Sequence, residues 1–194
     1  MLYGDKVGLR ARHEADTRVL QAELYDDVAT RSRADSRPWR PIRADSAASP
    51  YAVGQVADDA DCFSVVELAA GELAGEAVMW GIDLHNRRAH IGLSLRPAFR
   101  GRGLGTDVVR TLCEYGFAVR GLHRLQAETL ADNTAMIRAA TDAGFTEEGK
   151  LRRSAWADGG FADEVVLGLL AGEWDEVRRG APGAVAGPGD QLGP

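Results

Sequence analysis

The stretch Ala89-His90-Ile91-Gly92-Leu93-Ser94-Leu95-Arg96-Pro97-Ala98-Phe99-Arg100-Gly101-Arg102-Gly103-Leu104-Gly105-Thr106 runs from a strand pattern through a glycine-rich turn into a helix. Such a turn leaves backbone N–H groups unpaired at the positive end of a helix, and together these form a site for phosphate oxygens. Glycine is needed where a side chain would block the approach of backbone to phosphate. Arg100, Gly101, Arg102, Gly103, Leu104, Gly105 and Thr106 are therefore the residues expected to hold an anion, with the two arginines adding charge. A plain tight turn is the alternative reading. A dinucleotide fingerprint starting at Gly101 or Gly103 needs glycine where Thr106 and Val108 stand, and no phosphate-binding loop of the GxxxxGK[ST] type is present. What remains is Arg100-x-x-Gly103-x-Gly105.

Outward from this stretch, the apolar pattern predicts a strand over Lys6 to Ala11 and a helix over His13 to Asp26. Arg31 to Pro50, with three prolines, reads as a loop or broken helices. Strands follow at Cys62 to Leu68, Leu73 to Ile82 and Ala89 to Leu95, joined by short connections that predict an antiparallel meander. Gly105 to Val119 is expected to be a helix with Val108, Val109, Leu112, Cys113 and Phe117 inward and Asp107, Arg110 and Glu114 outward. Then come a strand at Arg124 to Thr129, a helix at Asn133 to Ala143 stopped by Gly144, and a hairpin of Phe145 to Trp156 with Phe161 to Leu170. The fold class is α/β, and no internal repeat is visible.

Of the 194 residues, 45% are apolar and 27% charged, which suits a globular chain and argues against disorder. The expected organisation is a single domain over residues 1–175 with a Gly/Pro/Ala-rich tail over 176–194. No apolar run reaches the roughly 20 residues of a membrane helix, and the first residues lack a secretory signal, so the expectation is a cytoplasmic chain without a membrane partner. The net charge of −6 argues against nucleic acid as a partner. Cys62 and Cys113 are far apart and each is expected to be a buried, reduced thiol; His85 and His90 lack the spacing of a metal pair, and no metal is expected.

The run from Ala89 to Gly105 resembles the pyrophosphate-binding motif of the GCN5-related N-acetyltransferases, or GNAT superfamily, and is similar in particular to its RimJ/RimL branch. Two further segments resemble that branch at its spacing: Asn133-Thr134-Ala135-Met136-Ile137-Arg138 leading to Gly144-Phe145, and Gly159 to Trp174 as the C-terminal hairpin. The resemblance covers roughly residues 70 to 174. It implies a GNAT fold: a mixed, mostly antiparallel sheet of about seven strands flanked by helices, with a splayed strand pair forming a cleft for acetyl-coenzyme A as co-substrate. It further implies that main chain at Leu93 and Leu95 pairs with the pantetheine arm and that Asn133 lines the same opening. The other reading of Asn133 is a helix cap. The implied activity is acetyl transfer to a primary amine, either the N-terminal α-amine of a peptide or protein or a small molecule such as a polyamine or aminoglycoside. A coenzyme A-binding module without turnover is the non-enzymatic alternative. A homodimer is compatible with the resemblance.

The pattern departs at the expected acid. Many members carry a tyrosine seven residues after the asparagine, where Ala140 stands, and the branch often has serine where Met136 stands. The glutamate that commonly precedes Ile-Gly is replaced by His90, a candidate base because an imidazole is competent near neutral pH. A hydrogen-bonded structural histidine is the other reading. Trp80, Tyr115 and Trp156 read either as aromatics facing a substrate cleft or, as aromatics in strands and helices more often are, as core; Asp58, Asp59 and Asp61 read as a solvated turn rather than an amine-binding site.

Overall fold

Alternation along the strands of this computed structural model, which describes residues 1–54 and 57–180, gives the sheet two faces carrying different helices. The strands are β1 (Leu2–Tyr3), β2 (Val7–Ala11), β3 (Ala60–Glu67), β4 (Glu72–Asp83), β5 (Arg88–Leu95), β6 (Arg124–Leu130), β7 (Thr146–Ala157) and β8 (Gly160–Leu170). They lie in the order β1-β2-β3-β4-β5-β6-β8-β7. All neighbours are antiparallel except β5 and β6. The seven longer strands are those the sequence pattern predicts, and the two-residue β1 adds an eighth.

On β3, Phe63 and Val65 pack into the main core with Val108, Val109 and Leu112 of helix α3 (Leu104–Glu114), while Ser64 between them donates to Asp16 of helix α1 (Glu14–Leu20). Adjacent side chains on a strand point to opposite faces, so α3 and α1 lie on opposite sides of the sheet. Helix α4 (Thr134–Thr141) joins the α3 side through Ala139 and Ala140. A smaller cluster of Leu20, Leu24, Tyr25 and Tyr51 holds the α1 side, next to helix α2 (Val28–Ala34). Each fully buried leucine of these clusters contributes roughly 1.5–3 kcal/mol.

Several expectations are corrected. The helices expected over His13 to Asp26 and Gly105 to Val119 each change to a π-helical turn, at Gln21–Tyr25 and Tyr115–Val119. Asp107, expected on the outer face of α3, is buried. Its carboxylate accepts the N–H groups of Asp5, Lys6 and Val7 at 3.1, 2.7 and 2.9 Å, tying the start of α3 to the entry of β2. A carboxylate satisfied by three backbone donors is stable inside, which helical periodicity does not reveal. Asp61 lies within β3 and accepts from Tyr115 Oη at 2.9 Å. The region after Leu170 forms helix α5 (Ala171–Gly180), so helix runs past the boundary placed after residue 175. Trp174 anchors it, with its ring centroid 5.2 Å from that of Phe117. The remainder of the expected tail, residues 181–194, lies outside the described residues.

Candidate active site

The parallel pair β5–β6 is joined over three rungs only: Arg88 with Arg124, Ala89 with Leu125 and His90 with Gln126. Beyond His90, β5 continues to Leu95 paired with β4 alone, while β6 continues to Leu130 paired with β8 alone. The strands have parted, leaving a wedge whose apex is the His90 rung. Leu93 and Leu95 lie on the free bank of β5, half-buried against the core.

The glycine turn stands at the open end of this bank. Pro97–Phe99 forms one 3-10 turn, after which Gly101 (φ 71°) and Gly103 (φ 75°) adopt the left-handed conformation that side-chain-bearing residues avoid. Gly103 is the N-cap of α3, and no side chain caps the helix. A Cβ added at Gly101 would meet nothing within 4 Å. Leu104, Gly105 and Thr106 form the first turn of α3, and at Gly105 an added Cβ would stand 3.7 Å from Ala139 Cβ, where α3 passes α4.

The arginines take other directions from the one expected. Arg100 Nε donates to the Leu95 carbonyl at 2.9 Å, and Arg102 pairs with Glu67 at 2.5 Å while lying over the Phe99 ring. Glu67 is buried at the end of β3 and draws the guanidinium to itself, beside an open crevice of about 480 Å³ that Lys6 also lines. Asn133 caps α4: its Oδ1 accepts from Met136 N at 3.2 Å and its Nδ2 donates to Thr129 Oγ1 at 2.9 Å. It starts α4 just past the far bank of the wedge. Ala140 is fully buried and Met136 packs against the core, so neither place holds an acid.

His90 points to the α1 side, since Ala89 and Ile91 on either side of it enter the core beneath α3. Its ring stacks on Trp80 of β4 at 5.5 Å between centroids, and Nδ1 lies 3.7 Å from Glu128 Oε1 on β6. Of the two readings open for Trp80, core or cleft, the exposed stacking on His90 fits the cleft; Glu128 was not expected at the site. The available signal was the period-two polar row Arg124, Gln126, Glu128 on β6.

The α1 side is framed by charges. Asp16 accepts from Arg10 at 2.6 Å, from His13 N at 2.9 Å and from Ser64 at 2.7 Å. Desolvation acts to raise this carboxyl, but the hydrogen bonds outweigh it and hold the group well below the usual carboxylate range. Arg12 pairs with Glu76 at 2.9 Å, and burial pushes the Glu76 carboxyl up against the opposing pull of Arg12. At the rim, Arg33 of α2 reaches Asp158 in the β7–β8 turn at 2.6 Å and Asp132 after β6 at 2.7 Å. Among the described residues no group of three or more His, Cys, Asp or Glu is placed to hold a metal ion, and no helix is long and apolar enough to cross a membrane.

The architecture is that of an α/β protein whose one parallel strand pair parts in front of a helix start that no side chain caps. The model of the acetyltransferase (GNAT) domain matches residues 6–146. The chain belongs to the GNAT acetyltransferase family. It is 32% identical over 115 residues to the uncharacterized N-acetyltransferase p20 of Bacillus licheniformis, covering 59% of this chain and 65% of that protein. It is 32% identical over 105 residues to the putative ribosomal N-acetyltransferase YdaF of Bacillus subtilis (strain 168), covering 54% and 57%. To the spermidine N(1)-acetyltransferase of Escherichia coli (strain K12) it is 28% identical over 95 residues, covering 49% and 51%. These matches thus span between half and two thirds of the relatives' lengths. The crystal structure of spermidine N-acetyltransferase from Vibrio cholerae in complex with CoA and spermine shares the fold, with a TM-score of 0.76 over 87% of this chain and 98% of that one at 19% identity.

Proposed function

We propose that the chain transfers an acetyl group from acetyl-coenzyme A to a primary amine. The observation that carries this reading is the parting of β5 from β6 directly beyond the His90 rung, in front of the uncapped start of α3. The left-handed Gly101 and Gly103 and the bare first turn of α3 fit a pyrophosphate, and the main chain at Leu93 and Leu95 fits the pantetheine arm. Bound acetyl-coenzyme A supplies the activated thioester carbonyl. The roles left to the chain are to align the amine and to take its proton. As the amine nitrogen bonds to the carbonyl carbon, the C–S bond breaks, the thiolate departs and His90 accepts the proton. With Ala140 and Met136 in the acid positions, the departing thiolate draws no proton from α4.

The acceptor in this reading is an α-amine of a peptide or protein. Attack needs the neutral amine, and an α-amino group near pKa 8 gives up its proton more readily than a lysine near 10.4, a gap of about 3 kcal/mol. Similarity to the putative ribosomal N-acetyltransferase and to the RimJ/RimL motif supports it. The second reading, a polyamine, is supported by the spermidine acetyltransferases among the relatives and by the carboxylates of Glu128, Asp132 and Asp158 around the wedge. The test is thiol release and mass spectrometry on peptides with free and blocked N-termini beside spermidine. Acetylation of free N-termini is expected; modification confined to spermidine replaces the acceptor, and no thiol release with any amine overturns the transferase reading.

A further inference from the structure

The His90 imidazole stands at the apex of the wedge, and each part of its surroundings has a traceable origin. Trp80, its β4 neighbour in register, stacks on one face of the ring with an interplanar angle of 25°. Gly81, at φ 59° in an irregular stretch between β4 and β5, lies at another edge; an added Cβ there would stand 3.3 Å from His90 Cδ2 and 4.0 Å from Nε2. The missing side chain keeps the Nε2 edge uncrowded. The Nδ1 edge faces Glu128, the first β6 side chain on this face beyond the last paired rung.

Glu128 is itself held. Gln126 Nε2 donates to Glu128 Oε1 at 2.6 Å, Arg124 donates to Gln126 Oε1 at 3.1 Å, and Arg124 Nη1 donates to Glu148 Oε1 of β7 at 2.7 Å. The period-two spacing of Arg124, Gln126 and Glu128 sets all three on the same face as His90. The charged groups around the imidazole are thus Glu128 on β6, with Arg124 and Glu148 behind it, and Arg88 on β5, which turns to Asp83 at 3.6 Å.

We propose that Glu128 is the positioning residue of His90: its carboxylate, fixed through Gln126 and Arg124, directs the Nδ1 edge and so presents Nε2 to the acceptor amine. The proposal rests on His90 being the base. At 3.7 Å the two groups are beyond direct hydrogen-bond length, yet an opposite charge within about 4–6 Å favours the protonated ring formed as the amine loses its proton. The carboxylate therefore acts after proton transfer begins, and it acts only through the imidazole.

The experiment is a double-mutant cycle of Glu128→Gln and His90→Ala, with kcat, KM for acetyl-coenzyme A and thermal melting measured on each variant. Glu128→Gln is expected to lower kcat roughly tenfold with KM for acetyl-coenzyme A and melting unchanged. In the His90→Ala background the same change is expected to make no further difference. An equal loss in both backgrounds, or a rise in KM for acetyl-coenzyme A with kcat unchanged, overturns the positioning role and leaves His90 as base. Full activity of His90→Ala overturns the base itself, whatever Glu128→Gln does. Glu128→Asp, which keeps the charge, is expected to recover most of the lost kcat; a loss equal to that of Glu128→Gln with unchanged melting also counts against the proposal.

Discussion

Between Arg100 and Thr106 the proposed ligand contacts are main-chain N–H groups, set by two left-handed glycines and a helix end. Around His90 the surroundings of the proposed base are side chains brought from β4, β5 and β6, whose positions span residues 80 to 128. The first region is defined by one contiguous segment. The second exists only once three strands are in register. A site made of backbone tolerates exchange of its side chains but no change in its dihedral angles, and a site made of converging side chains has the reverse sensitivity.

The largest expected effect comes from forcing the first region. Gly103→Val places a β-branched residue at φ 75°, at a strain of order 1–3 kcal/mol, and obstructs the N-cap of α3. At a hundred times its dissociation constant, acetyl-coenzyme A adds about 2.7 kcal/mol to the stability of the folded chain. In the variant that shift is expected to vanish in thermal melts while a cooperative transition remains. Retention of the shift would remove the phosphate assignment and with it one side of the contrast.

Next is His90→Ala, expected to lower kcat about a hundredfold without altering the cofactor-induced shift in melting. Loss of both together would mean that the two regions are not separable.

Asp16→Asn addresses the frame of the acceptor side. Leaving Arg10 without its carboxylate is expected to cost about 1–3 kcal/mol in denaturant unfolding at neutral pH. Because the folded-state carboxyl is held below its unfolded value, its contribution is fully present above about pH 4 and fades as pH falls toward the folded value. The parent should lose stability across that acid window more steeply than the variant. Parallel curves would show that the ionised Asp16 carboxylate adds nothing to the stability of the α1 side.

The smallest effect is expected at Arg33→Ala. Its pairs with Asp132 and Asp158 are exposed, so the melting temperature should stay within about 2 °C and the difference should disappear in high salt.

This contrast also explains what could be read from the chain in advance. The seven longer strands and the glycine turn were legible because alternation and left-handed glycines are local consequences of residue type. Asp107 was not: three N–H donors from a segment about a hundred residues earlier make its burial stable, and helical periodicity alone puts it outside. The directions of Arg100 and Arg102 escaped for the same reason, since the Leu95 carbonyl and buried Glu67 claim the guanidiniums only after folding. Asn133 carried two compatible readings, and its Oδ1 acts as the cap by accepting from the Met136 N–H. Helix α5 was hidden because one large apolar anchor, Trp174, carries its packing.

The three rungs joining β5 to β6 have a mechanical consequence. They are the narrowest seam of hydrogen bonds between the long strands, so β1–β5 and β6–β8 form two stiff plates on a short hinge, spanned on one side by the packing of α3 against α4. A ligand lying along the parted strands would act as a splint, supplying partners to main chain that has none across the gap. Amide hydrogen exchange at Ile91 to Leu95 would then slow far more on loading than exchange in β3, the hinge being more compliant in the empty protein than in the loaded form.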